Sequence, residues 1–147
     1  ATLATDYGVA AEIWSAPSFQ LLRNEALEVE HWNLHNPGAE KVPYVTEALR
    51  EAGEAGPVNG VSDWITAWPD MSGRSVPPDN WRSMGTDGYG RSDTREALRR
   101  FFDIDAQHIT AAVLVELAQT GALPSADVAA AVSKLDLEPE APFAIER

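Results

Sequence analysis

The chain has 147 residues, of which 44% are hydrophobic and 23% charged, and it contains no cysteine. A chain of this length makes one domain that buries roughly 70% of its unfolded surface, and without thiols it has no disulfide, thiolate metal site or Cys nucleophile. A formal net charge of −12 argues against a broad nucleic-acid surface, which needs Lys and Arg to neutralise phosphates, and against binding to an anionic membrane.

Residues 1–7 read as the tail of a helix closed by Gly8 in a left-handed position. "VAAEIW" (Val9–Trp14) reads as a short buried strand, ended by the breaker "SAPS". Phe19, Leu22, Ala26 and Val29 then recur at spacings of three and four, predicting a helix that runs to about Leu34 before "HNPG" stops it. "PYVTEALREA" predicts a second helix with Pro43 in its first turn. A weaker strand is predicted at Val58–Ser62, a helix over Trp64–Arg74, and a strand near Arg82–Met84. The remainder is helical in pattern: Leu98, Phe101 and Phe102 form one stripe, and Ile109, Val113 and Leu117 the next. Gly121 and Pro124 end that helix, and Ser125 is the expected N-cap of a last one carrying Val128, Val132 and Leu135.

Strands alternating with helices predict an α/β layered domain with a mainly parallel sheet. No repeat or linker divides it, so residues 1–147 are expected to form one domain. Three strands are few for this much helix, and a chain that begins inside a helix reads as a domain lacking its first strand. Such a sheet would carry an unpaired edge. No apolar run approaches the length of a membrane span and no signal peptide is read, which with the missing cysteine fits the cytoplasm.

"GTDGYGRSDTREALRRFF" (85–102) places a glycine-rich loop before an amphipathic helix, as phosphate sites do. A dinucleotide fingerprint needs G-x-G-x-x-G; Gly88 and Gly90 supply the first pair, but Asp93 stands where the third glycine belongs. Asp93 is itself the expected N-cap, with Glu96 completing a capping box, and Asp87 adds a second negative charge. The residues therefore favour a structural loop in which Arg91 and Arg95 pair with Asp87 and Asp93. A calcium loop counted from Asp87 fails, because Tyr89 and Leu98 occupy ligand positions.

His31 and His35 share a helix face at the spacing of H-E-x-x-H, but Trp32 replaces the glutamate that would act as base. Glu28 and His31 form E-x-x-H without the second copy a carboxylate-bridged site requires. His108 precedes an apolar helix and reads as a surface or capping residue. No G-x-S-x-G joins a serine to a triad. Trp14, Trp32, Trp64, Trp68 and Trp81 lie on different elements without basic residues between them, and read as core or interface anchors. No catalytic, cofactor-binding or metal-binding set is composed by these residues.

"AEIWSAPSF", "VEHWNLHNP", "KVPYVTEAL", "VSDW" and "MGTDGYGRSDTREALRRFFDID", in this order, resemble the C-terminal domain of the homodimeric bacterial pyruvate dehydrogenase. The similarity runs from about Val9 to Leu137. It implies a transketolase C-terminal-like domain: three layers, a mixed and mostly parallel sheet, and a part in joining the dimer. It also implies a parent that uses thiamine diphosphate and magnesium, both held outside this chain. That parent decarboxylates pyruvate and acetylates the lipoyl group of a dihydrolipoamide acetyltransferase. No catalytic residue is carried over. "SAPSF" and "VSDWITAWPDM" depart from the family wording, as in a divergent member. The resemblance places substrate choice among 2-oxo acids outside this chain, so a related 2-oxo acid dehydrogenase or transketolase is an alternative parent, and a stand-alone protein–protein interaction module is the alternative class. Trp64, Trp68 and the loop at 85–93, with Tyr89, are the candidate interface or domain-packing contacts.

Overall fold

The computed structural model describes residues 2–53, 56–76 and 81–147. In chain order the elements are α1 (Thr2–Tyr7), α2 (Phe19–His35), α3 (Tyr44–Glu51), β1 (Val58–Val61), α4 (Ala67–Gly73), β2 (Trp81–Met84), α5 (Arg95–Phe101), α6 (Ala106–Gln119) and α7 (Ser125–Val132), followed by a 3-10 turn at Ala144–Glu146. They fall into two compact units, one of residues 18–88 and one of residues 1–17 with 89–147. No helix of the described residues is long and apolar enough to cross a membrane.

In the unit of residues 18–88, β1 and β2 pair in parallel, with Val58 opposite Trp81 and Val61 opposite Met84. A parallel pair needs a crossover, and α4 supplies it, packing on both strands and on α2. Helix α2 begins at Ser18, whose hydroxyl accepts from the Leu21 N–H at 3.2 Å. Its buried residues, Ala26 and Val29, lie on the face the spacing predicts. At its far end Asn33 bonds both the N–H and the C=O of Lys41, at 2.8 and 2.9 Å, which turns the chain back. The Trp81 ring packs against Gly60 and Gly73, and its Nε1–H donates to Ser83 Oγ at 2.8 Å. The Ser83 hydroxyl donates in turn to Asp70 of α4.

In the other unit, α6 and α7 pack around Leu114, Val128 and Ala131, with Leu3, Tyr7 and Val9 against them. Gly8 has φ +65°, and the Val9 N–H returns to the Leu3 carbonyl at 2.9 Å, so α1 closes as expected. Gly121 (φ +77°) likewise ends α6, and the Ala122 N–H reaches the Leu117 carbonyl at 2.8 Å.

Four expectations are corrected. Val9–Trp14 is not a strand: the described sheet is β1 with β2, residues 10–17 are exposed, and Ile13 is 92% exposed. Strand-like composition becomes a strand only where a neighbour accepts its backbone groups. Helix α4 starts at Ala67 rather than Trp64, with Thr66 as its N-cap and the Thr66 carbonyl accepting from the Asp70 N–H at 3.1 Å. The face of α6 is turned by about one position: Thr110, Ala111 and Leu114 are buried, while Ile109, Val113 and Leu117 are half-buried. Ser125 is the first residue of α7 and not its cap; the preceding Pro124 carbonyl accepts from the N–H groups of Asp127 and Val128 at 3.1 Å.

Candidate functional site

The two chain segments that leave the C-terminal ends of β1 and β2 stay together. In parallel α/β sheets that end is where ligand and contact loops gather. The Ser62 N–H donates to the Met84 carbonyl at 3.0 Å, and the Thr86 N–H to the Trp64 carbonyl at 2.8 Å. The Thr86 hydroxyl adds a bond to the Asp63 carbonyl at 3.0 Å. Asp87 completes the arrangement: Oδ1 accepts the Thr66 N–H at 3.0 Å and Oδ2 the Thr66 hydroxyl at 2.6 Å. Gly85 is buried beneath the 64–66 backbone, where a Cβ would stand 2.7 Å from the Thr66 nitrogen. On this base Trp64 and Trp68 stack with centroids 6.2 Å apart, and Trp64 is 69% exposed. The arrangement presents a fixed aromatic pair and spends its carboxylate on its own backbone, which suits contact rather than chemistry.

The rest of the predicted loop differs from its expected wiring. Asp87 is held by Thr66, not by an arginine. Arg91 lies over the Phe101 ring, 4.2 Å from its centroid. The N-cap of α5 is Thr94 rather than Asp93: its hydroxyl accepts from the Ala97 N–H at 3.2 Å, while Asp93 accepts from the Thr94 N–H. Glu96 therefore falls one position short of a capping box. Gly88 has φ +109°, which favours glycine, whereas a Cβ on Gly90 would meet nothing within 4 Å. Tyr89 is 89% exposed.

A second polar cluster escaped the sequence reading. Asp105 caps α6, accepting from the His108 N–H at 2.9 Å and from His108 Nδ1 at 2.7 Å. Arg100 reaches the same carboxylate at 3.2 Å. His108 Nε2 lies 3.2 Å from Asp103, and Arg147 reaches Asp103 at the same distance. Burial acts to raise the Asp105 carboxyl, but the hydrogen bonds from the His108 N–H, the His108 ring and Arg100, with the His108 charge, outweigh it and hold its pKa below the ordinary value. "D-x-x-H" before an apolar run is the only signal that could have disclosed it. On α2, His31 and His35 do share a face, with ring centroids 4.5 Å apart.

No group of three or more His, Cys, Asp or Glu able to hold a metal ion occurs among the described residues. With Asp87 committed to Thr66, the glycine-rich loop does not fit a magnesium–diphosphate group.

A parallel β–α–β unit with α4 packed on both strands, and an aromatic pair at the strand ends, is consistent with an α/β domain of the transketolase C-terminal-like class. The chain belongs to the transketolase-like TK C-terminal domain family, whose model matches residues 1–105. It is 40% identical over 139 residues to the pyruvate dehydrogenase E1 component of Pseudomonas aeruginosa, covering 94% of this chain and 16% of that protein. It is 44% identical over 131 residues to the protein of that name from Mycobacterium tuberculosis, covering 88% of this chain and 14% of the relative. With that of Escherichia coli K12 the identity is 36% over 137 residues, 92% of this chain and 15% of the relative. The chain thus spans about a sixth of the length of these relatives.

Proposed function

We propose that this chain is the C-terminal packing and dimerisation domain of a pyruvate dehydrogenase, a single domain that carries no catalytic group of its own. The observation that carries this reading is 36–44% identity, over about nine-tenths of the chain, to proteins named pyruvate dehydrogenase E1 component. The parent, a cytoplasmic enzyme, decarboxylates pyruvate and passes the acetyl group to the lipoyl group of a dihydrolipoamide acetyltransferase. The lipoyl disulfide is reduced as the thioester forms. Thiamine diphosphate and magnesium belong to other parts of that parent and to its dimer mate. The commitment of Asp87 to Thr66 supports a structural role for the glycine-rich loop.

The intact protein is expected to release CO2 from pyruvate only when supplied with thiamine diphosphate and magnesium. Purified residues 1–147 are expected to bind no thiamine diphosphate by calorimetry and to consume no pyruvate. Turnover by the isolated chain would overturn the non-catalytic assignment. Preference of the intact protein for another 2-oxo acid would replace pyruvate with that substrate.

A further inference from the structure

The last two turns of α2 carry His31 and His35, both exposed and four residues apart. Their rings lie with centroids 4.5 Å apart and planes inclined at 42°. His35 Nδ1 is 2.8 Å from the His31 carbonyl oxygen, which only accepts, so Nδ1 donates this bond and, in the neutral ring, Nε2 is the nitrogen with the lone pair. A hydrogen bond from one ring nitrogen to a carbonyl is the usual way a protein orients an imidazole whose other nitrogen ligates a metal. The end of the helix adds a second favourable feature. The negative end of the helix dipole favours a cation in the last turn, and the chain as a whole is acidic at −12.

We infer that His31 and His35 form a two-imidazole chelate on α2 for a divalent late first-row metal such as Zn2+, Ni2+ or Cu2+. Imidazole nitrogen suits these ions, whereas Mg2+ requires oxygen ligands. Because no third His, Cys, Asp or Glu among the described residues joins the pair, water or a ligand from outside completes the coordination. The site is therefore an exchangeable surface site and not a structural or catalytic centre. It is separate from the aromatic pair at Trp64 and Trp68 and does not depend on the dehydrogenase reading. The absent Glu of H-E-x-x-H excludes metalloprotease chemistry, and it leaves the chelating spacing intact.

The test is Zn2+ and Ni2+ titration of the intact protein by calorimetry, with imidazole proton signals followed by NMR as Ni2+ is added. His31→Gln and His35→Gln are compared with the unaltered protein, and circular dichroism verifies that both variants keep their helix. The number of sites is counted as the equivalents of metal that the variants lose. One equivalent is expected to disappear, with affinity reduced at least about tenfold in each single variant, since loss of even a supporting partner of a ligand costs about 10–100-fold. His108→Gln should retain that equivalent, and excess Mg2+ should not displace it. If both variants bind Zn2+ and Ni2+ as the unaltered protein does, or if nothing binds to either ion, the assignment is overturned.

Discussion

At the scale of single residues, the clearest lesson is that two glycines in one signature stretch do different work. Gly85 sits where the backbone of 64–66 passes directly over it, so an added Cβ meets rigid main chain rather than a mobile side-chain end. Gly90 faces open space, and its φ lies outside the left-handed region. Gly85→Ala is expected to cost about 1–3 kcal/mol, the range for forcing an extra carbon into a packed site. Gly90→Ala is expected to be neutral or to stabilise by up to about 1 kcal/mol, through the reduced freedom of the unfolded chain. Urea unfolding of the two variants reads the contrast directly. Equal losses would mean that the loop, and not the crossing at residues 64–66, demands glycine.

At the scale of elements, two helix starts invite measurement. Asp93 and Thr94 are adjacent cap-competent residues, and sequence pattern chooses between them poorly because each is followed by helix formers. The structure gives the cap to Thr94. Thr94→Ala should therefore cost about 1 kcal/mol and Asp93→Ala clearly less, by denaturant unfolding. The second start is Asp105 on α6. Its pKa is lowered in the fold, so the folded protein holds this proton less tightly than the unfolded chain does. The ionised cap stabilises the fold at pH above the unfolded value of about 3.9. That stabilisation is lost as the pH falls through the lower folded value. Asp105→Asn keeps a capping oxygen without the titration, so its urea midpoint is expected to fall less between about pH 5 and pH 2 than that of the unaltered protein. Parallel acid profiles would remove Asp105 from the acid sensitivity of the fold.

These cases also show which elements could be read in advance. Helix α2 was legible because Ala26 and Val29 recur on one stripe against polar neighbours, and Gly8 and Gly121 because a left-handed closure leaves few other residues. The face of α6 was not, since 109–118 is apolar on nearly every side and the phase of burial is set by what packs there. Val9–Trp14 has the composition of a strand, but pairing is a property of two segments. The bond from Asp87 to Thr66 spans 21 residues and has no local signature, which is why nearby arginines were the expected partners. The spacing of His31 and His35, by contrast, was visible at once.

At the scale of the whole molecule, the dimerisation proposal makes a demand on Trp64. An indole 69% exposed, stacked on Trp68 and carried by backbone that Asp87 and Thr86 hold fixed, loses little conformational freedom on contact. A preorganised aromatic of this kind is the residue type that dominates interfaces. If the strand-end face meets the dimer mate, Trp64→Ala should cost about 2 kcal/mol of association, or roughly a 30-fold rise in the dimer dissociation constant. Sedimentation of the intact protein over a dilution series measures that constant. Thermal unfolding at high concentration should change little, because most of the ring contributes nothing to the interior of its own unit. Trp68→Ala acts on the base of the stack, where the ring is half-buried, and should lower both the association and the melting temperature. An unchanged dimer constant in Trp64→Ala would remove this aromatic pair from the interface, and the dimer contact would then have to be sought on another face.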